Sequence, residues 1–301
     1  MSGSHEFFAA YAEIIPSFQT FCEVLHSQPR RCLRVNTLRI APKHVQSMLT
    51  QQGYGVTPST FTPELLLVDN LTRPGSQREA MLGYYHPQAL TSALASLILA
   101  PQPGERVCDV CAAPGSKTTH MAQLMQDQGI IVANDRHHKR LSMLEHNAKR
   151  LGVTNIVTTC YAGQNFPLRC KFNRVLVDAP CSGEGRYRWD THGRLLNYRR
   201  SEGDLPRLQT QILIRAFDLL AAGGTLLYAT CTYNPLENEA VIQVLLEQRP
   251  ATIEPIELDV PHCPGLRKWR TQSYEPSMQH CWRLYPHQIN SVGFFLARVR
   301  A

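Results

Sequence analysis

From residue 86 to the C-terminus, short apolar runs alternate with amphipathic stretches, and this limits the possible folds more tightly than any other feature. "QALTSALASLILA" sets Leu90, Leu94, Leu97 and Ile98 on one helical face. "RVCDV", "IIVAND", "NIVTTCY", "RVLVDAP", "TLLYATC" and the closing "GFFLARVR" have the length and composition of strands. Between them, "TTHMAQLMQD", "HHKRLSMLEHNAKRLG", "LQTQILIRAFDLLAAGG" and "NEAVIQVLLEQR" have helical spacing, the third ending on glycines that read as its cap. Strands alternating with helices join by right-handed crossovers into a largely parallel sheet covered on both faces. Such sheets bind ligands at the carboxyl ends of their strands, where the strand order reverses. The loops beginning at Cys111, Asp135, Tyr161, Asp178 and Cys231 are therefore where a site is expected.

The chain before this region has another rhythm. Residues 1–27 have roughly helical spacing broken at Pro16; then come a strand-like "RCLRVNTLR", a helical "KHVQSMLTQQ" stopped by Gly53, and a strand-like "ELLLVD". This is a small α+β unit closed by a linker near "TRPGSQ", giving an N-terminal domain at 1–80 and a larger domain at 81–301. Hydrophobic content of 43% and charged content of 18% exclude a disordered chain. No apolar run reaches bilayer length and no leader pattern opens the chain, so a soluble, cytoplasmic monomer is expected. The formal charge of +7 favours a polyanionic partner such as RNA or DNA. Ten cysteines at irregular spacings read as reduced thiols, and their spacing does not suit a zinc site, so no metal is expected.

"VCDVCAAPGSKTT" follows the first strand of the regular region and opens its helix. Its small residues and Gly115 let the backbone approach a ligand, and helix N-terminal N–H groups favour an anion. Asp135 ends the next strand at the spacing from which a carboxylate grips ribose hydroxyls in doubly wound folds. The loop matches neither the dinucleotide glycine fingerprint nor the P-loop, and Lys117 suits a carboxylate better than a pyrophosphate. S-adenosylmethionine fits these parts; the alternative is a tight turn with a solvated lysine.

"DAPCSGEG" ends one strand and "ATCTYN" ends its expected neighbour, so Asp178, Cys181 and Cys231 converge. Methylation of an unactivated pyrimidine carbon uses such a set. Cytosine C5 becomes nucleophilic only after something adds to C6, and a thiolate both attacks and leaves well. A buried Asp178 with a raised pKa would protonate N3. The alternative is that both cysteines are small buried fillers.

"CAAPGSKTT", "DAPCSGEG", "YATCTYNPLENEA" and "RLYPHQINSVGFFLA", with "LRVNTL" and "YYHPQALTSAL" upstream, resemble the NOL1/NOP2/Sun family of RNA 5-methylcytosine methyltransferases, in its RsmB/RsmF-like class. The resemblance runs from about residue 33 to the end. It implies a Rossmann-like S-adenosylmethionine-dependent α/β fold, Cys231 as covalent nucleophile and Cys181 assisting release. It further implies a cofactor pocket of Cys111, Ala112, Ala113, Pro114, Gly115, Ser116, Lys117, Asp135, Arg140 and Asp178. In one place the chain departs from the family: Ala162 stands where an Asp usually contacts adenine, which predicts weaker cofactor binding, with Gln164 or backbone carbonyls as substitutes.

Arg186, Arg188, Arg194, Arg199 and Arg200 interleave with Tyr187, Trp189 and Tyr198, a pattern in which guanidinium groups hold phosphates while rings stack on bases. The alternative is a solvated loop with a buried Trp189. Arg34, in the basic cluster with Arg30 and Arg31, and Asn36 match the family's "RVN" and are expected to face RNA. Two further functions compete: methylation of an exocyclic amine, and an RNA-binding assembly factor that keeps the fold without turnover. The target, ribosomal or transfer RNA, stays open.

Overall fold

The structure, a computed structural model, describes residues 6–198 and 203–301, so Arg199 and Arg200 lie outside the described residues. The N-terminal sheet contains β1 (Arg31–Val35), β2 (Val56–Pro58), β3 (Leu65–Val68) and β4 (Tyr85–Pro87), all antiparallel in the order β2-β3-β1-β4. Helix α1 (Pro42–Gln51) buries Val45 and Leu49, four residues apart on one face, against Leu33, Val35 and Leu66. β4 carries this sheet past residue 80, directly into helix α2 (Leu90–Leu99) of the second unit.

The larger sheet has nine strands. β5 (Arg106–Asp109), β6 (Ile130–Asn134), β7 (Ile156–Thr159), β8 (Phe172–Asp178) and β9 (Leu220–Thr230) run parallel in the order β7-β6-β5-β8-β9. β10 (Thr252–Glu254), β11 (Cys263–Pro264), β12 (Trp282–Leu284) and β13 (Phe294–Arg300) add antiparallel pairings beyond β9. Both faces are covered. Val175, Val177, Leu226 and Tyr228 enter one core, while Leu176, Leu227 and Ala229 enter the other. Full burial of such side chains stabilises by about 1.5–3 kcal/mol each, which fixes the register of β8 on β9.

Helix α3 (Ser116–Leu124) follows β5, and α4 (His138–Leu151) follows β6, burying Leu141, Leu144, Ala148 and Leu151 and ending on left-handed Gly152. α5 (Leu205–Phe217) starts at Asp204, whose carboxylate accepts the Arg207 N–H, and α6 (Glu239–Gln248) follows β9. The expected glycine cap is not there: α5 stops at Phe217, and Leu220 already pairs with Phe172 of β8. Gly223 and Gly224 instead lie where the register shifts between Leu220 and Thr225. Tertiary pairing thus replaces the end of the helix with a bulged strand.

The first segment does not join the N-terminal sheet. Phe8, Ile15, Phe21 and Leu25 form an aromatic-rich cluster with Tyr187, Trp189, Tyr233 and Tyr285 of the larger unit. Among the described residues, no helix is long and apolar enough to cross a membrane.

Candidate active site

In the parallel register Asp178 lies opposite Ala229, so the chains leaving β8 and β9 diverge from one level at the carboxyl edge. Cys181 and Cys231 meet there, with their Sγ atoms 3.4 Å apart as free thiols, and the Cys231 N–H donates to Cys181 Sγ. The hydrogen bond from Cys181 lowers the pKa of Cys231, with Arg186 and Lys117 acting in the same direction against burial and Asp178. The same bond, then burial, pushes Cys181 up. Of the two thiols Cys231 is therefore the more readily ionised, and Cys181 the one that holds its proton more tightly.

The two loops are tied to each other. Ser182 Oγ donates to Thr232 Oγ1 at 2.7 Å, and Thr232 donates to Glu184 Oε2 at 3.0 Å. Tyr11 Oη donates to the other Glu184 oxygen at 3.1 Å, so the first segment braces this joint. Glu237 Oε2 accepts from the Ser182 N–H and from Gln209 Nε2, both at 2.9 Å. Gly185 passes so close to Gly293 that a Cβ would lie 2.3 Å from its carbonyl oxygen.

Asp178 departs from expectation. Its side chain is 34% exposed, and Oδ2 accepts from Lys117 Nζ at 2.6 Å, so it is an ion-paired group at the mouth of the site rather than a buried acid. A buried carboxyl with a raised pKa lies instead at Asp109, the end of β5: burial raises it to about 7, against the lowering effect of its bond from Thr118. Lys117 also sits over the Phe294 ring, 5.3 Å from its centroid.

Two clefts meet at Ala113, Asp178, Arg186 and Cys231. The first is lined by Val110, Cys111, Asp135, Arg140, Gly163, Gln164, Ile212 and Cys181, among others. Asp135 accepts the His137 N–H and pairs with Arg140 at 2.8 Å, while Arg140 also donates to the Ala113 carbonyl. The second cleft is lined by Gln88, Ala112, Pro114, Ser116, Lys117 and Phe294, among others. Gly115 lines neither. Its φ of +100° and its contact with α4 shape the turn, and a Cβ would come 2.9 Å from Leu144. Ala162 lines neither cleft, whereas Gln164 lines the first.

Four residues expected to face RNA are buried instead. Arg34 is 1% exposed, and its guanidinium donates to Ser116 O, Thr119 Oγ1 and Gln88 Oε1. Asn36 donates to Gly83 O and Leu151 O. Arg188 donates to Tyr187 O and Ser291 O, and Trp189 is packed in the aromatic cluster. Arg34, Asn36 and Arg188 lie where parts of the fold join, and their side chains satisfy backbone carbonyls that would otherwise be buried without partners. Arg186, exposed and lining both clefts, and Arg194, with a 75% exposed side chain, remain open to a ligand. Sequence reasoning missed Asp109, Gln88 and the Glu184–Thr232–Glu237 joint; only the position of Asp109 at a strand end offered a signal.

Residues 96–300 match the family model described as 16S rRNA methyltransferase RsmB/F, and residues 9–73 match a RsmF/B-like ferredoxin-like domain. A tRNA (cytosine(49)-C(5))-methyltransferase of Pyrococcus abyssi is 32% identical over 290 residues, covering 94% of this chain and 91% of that protein. The human 28S rRNA (cytosine(4447)-C(5))-methyltransferase is 37% identical over 278 residues, covering 89% of this chain. This chain spans only about a third, 34%, of that human relative's length. A solved methyltransferase homolog protein from Pyrococcus horikoshii superimposes with a TM-score of 0.85 at 30% identity, covering 98% of this chain and 94% of its own. On this evidence of fold, loop geometry and similarity, the chain belongs to the RsmB/F methyltransferase family.

Proposed function

We propose that this protein methylates C5 of a cytosine in ribosomal or transfer RNA, with S-adenosylmethionine as cofactor and Cys231 as covalent nucleophile. The observation that carries the reading is the pair of thiols 3.4 Å apart where the two clefts join beside Asp178. The first cleft suits an adenosine: Val110 and Ile212 offer apolar walls, and Asp135 offers a carboxylate for ribose hydroxyls. When bound, S-adenosylmethionine supplies an electrophilic methyl group. Asp135, Arg140, Cys111 and Gln164 are the residues to hold it.

The base enters the second cleft, extruded from its stack. The Cys231 sulfur forms a bond to C6, and the C5–C6 π electrons move toward N3. A proton passed from Lys117 Nζ by way of Asp178 Oδ2 meets the charge that develops at N3. C5 is then an enamine carbon able to accept a methyl group. The C5 proton afterwards leaves to water, and the C6–sulfur bond breaks. Cys181 stabilises the departing thiolate through the hydrogen bond it makes in the resting pair, while the N3 proton returns by way of Asp178 Oδ2 to Lys117 Nζ. Arg186, at the junction of the clefts, and exposed Arg194 are placed for phosphates.

The test is to incubate a Cys181→Ala variant with RNA and S-adenosylmethionine. A denaturant-resistant protein–RNA adduct is expected, and it must vanish when Cys231→Ala is added. An assembly factor without turnover is favoured only by Ala162; it predicts RNA binding with no adduct.

A further inference from the structure

We infer that Gln88 reads the O2 carbonyl of the target pyrimidine, its side-chain amide aimed into the second cleft by buried Arg34. This inference rests on the proposed cytosine methylation and assigns that cleft a recognition contact.

Gln88 follows β4 and is held by two hydrogen bonds. Its backbone N–H donates to Cys32 O at 3.1 Å, and its Oε1 accepts from Arg34 Nη1 at 3.1 Å. Arg34 in turn is locked by bonds of 2.7 Å to Ser116 O and 2.9 Å to Thr119 Oγ1. A guanidinium only donates, so the amide oxygen must face Arg34 and the NH₂ group must point away from it. That Nε2 is buried and has no hydrogen-bond partner, although Gln88 is only 6% exposed and lines the cleft beside Lys117, Asp178 and Cys231. A buried donor left unmet is unfavourable, and a ligand carbonyl would satisfy it.

The chemistry selects that carbonyl. With C6 at Cys231 and N3 at Asp178, the ring atom between N3 and N1 is C2, which carries the neutral acceptor O2. Addition of sulfur at C6 also spreads negative charge onto the N3–C2–O2 unit, so a fixed donor there gains strength as the adduct forms. The same reading explains Arg34: a residue of the N-terminal sheet sets the direction of an amide in the catalytic cleft without touching RNA. It is a positioning residue.

The experiment is a cycle of protein and substrate changes. Bisulfite sequencing first locates the methylated cytosine, and an RNA fragment is synthesised with cytidine or 2-thiocytidine there. Gln88→Ala on the cytidine RNA, and the wild-type protein on the 2-thiocytidine RNA, should each lose about tenfold or more in kcat/KM. Combining them should add less than about a further twofold. Gln88→Met, which keeps the volume and should melt close to the wild type, should lose activity as Gln88→Ala does. Losses that multiply in the combined case would overturn the inference while leaving the methylation reading intact. A wild-type protein that methylates no cytosine would overturn both.

Discussion

At the carboxyl edge of the large sheet, Cys181, Cys231 and Asp178 reach open clefts, whereas in the N-terminal sheet Arg34 and Asn36 direct their polar atoms wholly into the protein. The difference lies in what surrounds each group. The two cysteine loops are tied to each other through Ser182, Thr232, Glu184 and Glu237. Arg34 and Asn36 sit where one unit meets another, and buried carbonyls from α3, α4 and the turn before β4 claim them. Basic character in a sequence is therefore no guide to an RNA face until its partners are known.

The largest effect that would sharpen this contrast is on stability. Arg34→Ala leaves Ser116 O, Thr119 and Gln88 without their donor and opens a cavity, so unfolding free energy should fall by about 3 kcal/mol. Arg194→Ala, at an exposed ion pair, should change it by less than about 0.5 kcal/mol yet weaken RNA binding. Urea denaturation and filter binding of both variants check this; equal stability of Arg34→Ala and wild type would break the comparison.

Asp109 gives a smaller, pH-dependent effect. Burial raises its folded pKa from 3.8 to about 7, so the folded state binds the proton more tightly than the unfolded chain. Its contribution therefore turns unfavourable as pH rises above about 4, and reaches its full size above about 7. Asp109→Asn should gain stability relative to wild type between pH 4 and pH 8, on the order of 2 kcal/mol. Thermal melts across that range that show a constant difference would contradict the assignment.

The smallest effect concerns the cofactor. Ala162→Asp should tighten S-adenosylmethionine binding about fivefold, roughly 1 kcal/mol, measured by isothermal titration. Unchanged affinity would mean that Gln164, which already lines the first cleft, suffices.

The parallel sheet was legible because a two-sided core demands apolar strands between amphipathic helices, and the convergence of Cys181, Cys231 and Asp178 was legible because Asp178 ends its strand and the two cysteines follow just past strand ends. What was not legible depended on distant partners. Gly223 and Gly224 resemble a helix cap until Leu220 is seen paired with Phe172. Arg188 resembles an RNA contact until Ser291 O is placed beside it, 103 residues away in sequence. The orientation of Gln88 follows from Arg34, which no local pattern connects to it.

The claim on which the rest depends is the bond between Cys231 and a pyrimidine ring. Mass spectrometry of the digested Cys181→Ala–RNA adduct tests it most directly. The account predicts a nucleotide mass on the peptide that carries Cys231 and on no other; an unmodified Cys231 peptide, or a nucleotide attached elsewhere, would contradict it.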